Sequence, residues 1–443
     1  MHSNYLLPGY PSVLCSRHLL TTFLMSSSTV HECQVPTAAP TRLPTMNPTA
    51  THTSYPSIYT APHGLSCYEV STAVVAGPLS PGSADGVGLS ASFNAPHGMT
   101  TSPDGSFVLI SDFGNHKIRK LMISTGAVST FAGDGTAGGV NGIGTMAQFS
   151  APLDVSMSSD GLLAVSSCAN GHRIRHIVLS TRLVTTIGGD GSPGHVNGVG
   201  NHSRFDHPAG ISLYKGNTLA LIVDKGNHLL RLIDMSSLQV TTLAGSGTGG
   251  GADGIGTSAT FSAPFFVAVS SNDEFAVVSE YNGNRLRKVV LSTWAVSTLT
   301  GSSNDATGSS NGMGTLATFS VPCALILSSD DMHLYVADRN NNAVRHVELT
   351  SKKVSTLRIQ TNSNALNSPV GLTWIRQDSV LLLSSPTAGD VQKMYGYCAS
   401  PSATPTLQPT GMPTAEPSAT PSLLPSSEPL WSRRRHHLVS LQI

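Results

Sequence analysis

The residues of this 443-residue chain that could do chemistry recur on a ruler. Carboxylates stand at Asp112, Asp224, Glu280 and Asp338, and seven residues beyond each stands an arginine, at Arg119, Arg231, Arg287 and Arg345. Arg175 follows Cys168 at the same offset. Arginines repeated this often could serve nucleic acid, but that role needs a basic face. Between Cys67 and Cys398 there are 20 Lys plus Arg against 22 Asp plus Glu, so nucleic-acid binding is excluded. The recurrence instead makes these structural slots, with each arginine reaching its acidic slot or nearby loop carbonyls. His97 and His207 flank prolines, and His116 and His228 fall in turns. A metal-dependent lyase or lactonase needs converging histidine and carboxylate ligands. No His-x-His or His-Glu-x-x-His pair supplies them, so the histidines read as turn residues and no metal or other cofactor is expected. Asp85, Asn141, Asn197, Asp253 and Asn311 could be calcium ligands, yet they read better as turn residues capping their own Gly-x-Gly backbone. Those glycine phrases are followed by no helix, so they are not phosphate loops. No Gly-x-Ser-x-Gly elbow occurs, and Cys168 and Cys323 have no evident base. These residues give no catalytic constellation.

The ruler is set by prolines at 96, 152, 208, 264 and 322, in steps of 56, 56, 56 and 58, and a worn sixth copy begins at Pro369. A period this strict means one structural unit copied around an array. In the first copy, apolar residues alternate with period two over 98–101, 107–111, 118–123 and 128–132, between turns at Pro103-Asp104-Gly105, Gly114-Asn115-His116 and Thr125-Gly126. The spacing predicts a four-stranded antiparallel meander per unit. So small a sheet cannot bury both faces alone, and radial stacking of six gives a β-propeller. The sixth unit lacks its last strand. Glu69-Val-Ser-Thr-Ala-Val-Val-Ala-Gly77 carries the missing pattern, so an N-terminal strand is expected to complete the last blade and close the ring, removing an exposed edge.

The phrases Asp85-Gly-Val-Gly, Phe93-Asn-Ala-Pro96-His-Gly98 and Ile110-Ser-Asp-Phe-Gly-Asn115-His-Lys-Ile-Arg119 resemble NHL repeats, in register over roughly residues 69–397. The chain departs from that pattern at Asp154, Phe266 and Ala324, where Gly98, Gly210 and Gly371 keep the glycine, and at Cys168 and Ser385 in the acidic slot. The resemblance implies an all-β, six-bladed propeller of the NHL or TolB-like kind. For function it implies RNA-binding or protein-binding modules, extracellular adhesion modules or a minority of metal-dependent enzymes. Fold alone does not choose among these.

Closure of the ring brings Cys67 and Cys398 to one hairpin end, where a disulfide is expected, subject to the distance limits on such bridges. Cys168 and Cys323 lie on opposite sides of the ring and cannot pair with each other. Cys15 and Cys33 fall outside the repeats. The lead-in loops 133–148, 189–203, 245–260 and 301–318 are expected to crowd one face around the channel and offer a platform for protein or carbohydrate. Within that face His97, Asp154, Phe265, Phe266 and Val370 are the candidate binding residues.

The flanks suggest location. Prolines recur about every four residues from Pro36 to Pro56 and from Pro401 to Pro429, mostly followed by Ser or Thr. Such segments cannot build a core, favour extended polyproline conformations and suit O-glycosylated stalks. The organisation expected is an uncertain segment 1–35, a Pro/Thr-rich linker 36–66, the propeller 67–398, a Pro/Ser/Thr-rich stalk 399–430 and a basic tail 431–443, both Pro-rich flanks being disordered. Asn201-His-Ser203 is an N-glycosylation acceptor if the chain is secreted. Residues 13–28 are only patchily apolar and broken by Arg17 and His18, unlike a signal peptide, and no stretch is long and apolar enough for a membrane span. The reading is a monomeric, non-enzymatic binding propeller, extracellular or at the cell surface. The alternatives are a metal-dependent extracellular enzyme of the same fold or an intracellular scaffold.

Overall fold

The computed structural model describes residues 69–77, 80–359, 364–375 and 380–396. They form six sheets. In the first blade, Pro96–Thr101, Phe107–Asp112, Lys117–Met122 and Ala127–Ala132 run as an antiparallel meander from the centre outward. The inner strands of successive blades touch one another around the ring. The last blade consists of Gly371–Ile375, Val380–Ser385 and Asp390–Gly396, joined by Glu69–Ala76 in antiparallel register from Val70↔Gly396 to Ala76↔Val391. The two ends of the propeller therefore share a blade, as expected. Cys67 and Cys398 lie outside the described residues, as do the Pro-rich flanks.

Each blade has five strands, not the four expected. The lead-in segment pairs two residues with the outermost strand of the blade it leads into: Gly142↔Val184 and Ile143↔Leu183 in blade 2. A 3-10 turn, Gly144–Met146, follows. In the last blade Arg358–Ile359 takes this place, running parallel to Glu69–Ala76. The short strand covers a row of amide groups that would otherwise stand open at the rim. It also corrects the expectation that these loops crowd the channel, because their paired residues lie at the outer edge, four strands from it.

Packing explains the recurring phrase. Phe93, Phe149, Phe205, Phe261 and Phe319 are fully buried, and the guanidinium of each blade's arginine lies 5.1–5.5 Å from that ring's centroid. In blade 3, Arg231 Nη1 donates to Asp224 Oδ2 (2.8 Å) and the Arg204 carbonyl (3.1 Å), while Nη2 donates to the Val196 carbonyl (3.0 Å) and Asn197 Oδ1 (2.9 Å). The same bonds recur on Arg119, Arg287 and Arg345. Asp85, Asn141, Asn197, Asp253 and Asn311 thus do not cap their own loops. They accept from the arginine, tying each lead-in to the blade it leads into. The acidic slot has a second task. Asp112, Asp224, Glu280 and Asp338 accept the backbone N–H of Asn94, Asp206, Ser262 and Ser320. The next residue, just before the proline, lies in the left-handed region at Ala95, His207, Ala263 and Val321 (φ 47–58°), and also at Ala151 and Ser368, where the slot holds Cys168 and Ser385, a conformation costly for a residue with a Cβ.

Candidate functional site

The channel differs at its two ends. At the end where the inner strands begin, the residue after each proline packs inward: Leu153, Ala209, Phe265, Cys323 and Val370 are buried in one cluster that also takes in Phe266 and Ala324. This plug holds three of the five residues expected to bind a partner. Phe265 and Phe266 meet edge to face at 5.0 Å, and neither is more than 4% exposed. Val370 is fully buried. His97 is half-buried, donating from Nδ1 to the Ala95 carbonyl (2.8 Å) with its ring 4.7 Å from that of Phe113. Burial, with the charges of Arg339 and Lys225 acting in the same direction, pushes its pKa down to about 4, so the ring is neutral.

Over the plug lies an arc that sequence reasoning missed. The residue after the acidic slot stands at the tip of each second-to-third strand connection, and in three adjacent blades these are Lys225, Tyr281 and Arg339. Lys225 Nζ sits 4.9 Å from the Phe265 ring centroid and 4.6 Å from that of Tyr281. Arg339 Nη1 donates to the Tyr281 hydroxyl (3.1 Å). Among the described residues, no carboxylate pairs with either cation. Burial, aided by the like charge of Arg339, lowers the Lys225 pKa from its ordinary value. Two partly desolvated cations with an aromatic surface between them are an anion-accepting arrangement.

At the other end the channel opens as a cavity of about 430 Å³ lined by the inner strands of all six blades. Thr100, Ser156, Ser212 and Thr373 line it beside Trp374, whose indole N–H donates to the Leu327 carbonyl (3.0 Å). Its floor holds the fifth expected residue, Asp154. This side chain is 6% exposed, and Oδ1 and Oδ2 accept the backbone N–H of Val155 (2.9 Å) and Ile211 (3.0 Å). Burial pushes its pKa up to about 7 against those two bonds. Gly98 faces it from blade 1, where a Cβ would come within 2.0 Å of Oδ1.

Cys168 and Cys323 are free and buried, and burial raises their thiols to about 11 and about 12, so neither offers a thiolate near neutral pH. Asn201 is exposed on the 3-10 turn Gly200–His202. Among the described residues no helix is long and apolar enough to cross a membrane, and no trio of metal-ligating side chains lines the cavity.

No family model matches the chain. It is 26% identical over 324 residues to NHL repeat-containing protein 2 of Homo sapiens, covering 66% of this chain and 44% of that protein. It is also 26% identical over 277 residues to Protein SUPPRESSOR OF QUENCHING 1, chloroplastic, of Arabidopsis thaliana, covering 60% of this chain and 26% of that one. The chain thus spans less than half the length of these relatives. Among solved structures, a protein of unknown function from Bacteroides thetaiotaomicron superposes with a TM-score of 0.57 at 16% identity, covering 73% of this chain and 75% of that one. An auxiliary nutrient binding protein from the same organism gives 0.55 at 12%, covering 74% and 76%. These two likenesses show the fold.

Proposed function

Since the chain is a six-bladed NHL-repeat propeller, we propose that it is a non-enzymatic recognition module that docks an acidic group of a protein or glycan partner on the face where its inner strands begin. One observation carries the reading: Lys225 and Arg339 flank Tyr281 over the plugged mouth with no carboxylate paired to them among the described residues. The repeated arginine slots already find their hydrogen bonds within the fold, whereas these two neighbouring cations share one aromatic surface that an external anion can reach. The Pro/Ser/Thr-rich flanks support presentation at the cell surface, with the propeller acting as a monomer; secretion and glycosylation assays on the expressed full chain test that part.

The recognition itself is tested with immobilised full chain and a panel of peptides and glycans graded in acidic content. Wild type is expected to retain acidic members with an affinity that falls as salt rises. Lys225→Ala/Arg339→Ala should abolish retention, and Trp374→Ala, in the opposite cavity, should not. Equal binding by the double variant, or loss confined to Trp374→Ala, refutes the placement.

A rival reading, catalysis in the open cavity, has Asp154 behind it, a buried carboxyl poised near neutrality as a general acid or base would be. Turnover of any lactone or ester by wild type, abolished in Asp154→Asn, would favour it.

A further inference from the structure

Blade junctions share one contact. The residue closing the second-to-third strand connection adopts a left-handed conformation, and its side chain accepts a backbone N–H from the residue before the next proline. His116 Nδ1 takes that of Ala151 (3.0 Å), His228 Nδ1 that of Ala263 (3.0 Å), Asn284 Oδ1 that of Val321 (2.9 Å) and Asn342 Oδ1 that of Ser368 (2.8 Å). His172 Nδ1 does the same with His207, at 3.2 Å. Either histidine or asparagine serves, so a histidine here needs no further explanation.

The junction between blades 2 and 3 carries more than this contact requires. The residue receiving His172 is itself a histidine, and an aspartate precedes it, where the other junctions have Ser150-Ala151, Ser262-Ala263, Ser320-Val321 and Asn367-Ser368. Asp206 Oδ1 lies 2.7 Å from His207 Nδ1 and 3.4 Å from His172 Nδ1, and the two imidazoles meet edge to face at 4.8 Å. One ligand atom from each of the three lies within 4.8 Å of the others. Asp206 is held from behind, its N–H on Asp224 Oδ1 (2.7 Å) and its carbonyl on the Gly226 N–H (2.8 Å). His207 is half exposed, with Nδ1 on the Asp206 carboxylate.

We propose that His172, Asp206 and His207 form a binding site for a zinc-class divalent ion that staples blade 2 to blade 3. Two imidazole nitrogens and one carboxylate oxygen suit borderline ions such as Zn²⁺, Ni²⁺ or Cu²⁺, whereas Ca²⁺ and Mg²⁺ require an oxygen-rich shell. Zinc–nitrogen bonds of about 2.0–2.1 Å set tetrahedral ligand edges near 3.4 Å; the His172–Asp206 pair already stands at that spacing, and binding requires His207 to leave its 2.7 Å contact with Asp206, a water completing the shell. The ion takes the Nδ1 lone pair of His172 in place of the weak 3.2 Å contact. It stands beside blade 2, whose Arg175 bonds to two carbonyls and Asn141 and has no carboxylate partner among the described residues.

The test is isothermal titration of chelator-stripped full chain with zinc chloride and with calcium chloride, alongside a thermal melt. Wild type should bind one zinc more than His207→Ala or Asp206→Ser, with a rise in melting temperature that both variants lack, and calcium should do neither. Alanine and serine already stand at these places in other junctions, so both variants are expected to fold, and histidines elsewhere act equally in all three proteins. Equal zinc stoichiometry and equal thermal shift in wild type and variants overturn the site.

Discussion

Replacing Arg231 by Gln and Asp224 by Ser, separately and together, tests whether the repeated ion pair acts as a unit. Both side chains are fully buried. Arg231→Gln leaves Asp224 in the blade interior with only Asn227 Nδ2 and the Asp206 N–H as donors, and stranding a buried charge costs about 3–5 kcal/mol. At about 2.1 cal/mol/K per residue over roughly 330 residues, that lowers the melting temperature by about 4–7 °C. Asp224→Ser should cost less, about 1.5–3 kcal/mol for a charge-assisted hydrogen bond. Arg175 lives under that condition, with Cys168 opposite and bonds to the Gln148 and Val140 carbonyls and Asn141. The double variant reproduces the last blade, which carries Ser385 and Gln392 in the same slots, and should cost no more than Arg231→Gln alone. Denaturant unfolding of all four proteins gives the coupling energy, expected at about 1.5–3 kcal/mol or more. Additive losses, or a cost below about 1 kcal/mol for Arg231→Gln, would refute the stranded-charge argument.

Cys168→Asp should raise stability by about 1–3 kcal/mol in the same assay, because it gives Arg175 the carboxylate the other arginines have. Asp154, with a folded pKa near 7 against an ordinary 3.8, stabilises fully below pH 3.8, and that contribution is lost as pH rises through 7. The stability of wild type relative to Asp154→Asn should therefore fall between pH 4 and pH 8, by on the order of 4 kcal/mol at most; a flat difference would show that the carboxyl is not desolvated. The disulfide expected from the sequence between Cys67 and Cys398, which lie outside the described residues, is tested by non-reducing peptide mapping of full chain purified from an oxidising compartment, which should recover them as one linked pair.

Much of the fold was legible because its determinants are local and repeated. Period-two runs, turn residues and a proline every 56 residues mark the four long strands of a blade, and Glu69–Ala76 advertises the closure by copying the pattern of the other outer strands. The fifth strand was not legible. Two residues such as Gly142–Ile143 have no period, and their partners Leu183 and Val184 lie about forty residues ahead. The role of Asp85 and its counterparts was hidden for the same reason, since Arg119 reaches back over 34 residues to find it. At the mouth, attention to the residue after each proline chose side chains that face the plug, whereas Lys225, Tyr281 and Arg339 stand one place beyond the acidic slot.

The contrast between these two sets of positions has a physical cause that also says how to read such a ring. A position filled alike in every blade answers a demand every blade makes, as the buried phenylalanine and arginine do. A ligand that meets the array once makes its demand on a few copies, so its contacts sit at in-register positions where the copies differ. The tip after the acidic slot reads Phe113, Ala169, Lys225, Tyr281, Arg339 and Pro386 around the ring, and no packing requirement common to the blades produces that series. The layer two residues after the proline shows the same, with Asp154 alone titratable among Gly98, Gly210, Phe266, Ala324 and Gly371. The junction series does so too, with Asp206-His207 among small neutral residues. In these three series, subtracting the repeat leaves a titratable group where the common scaffold has no use for it.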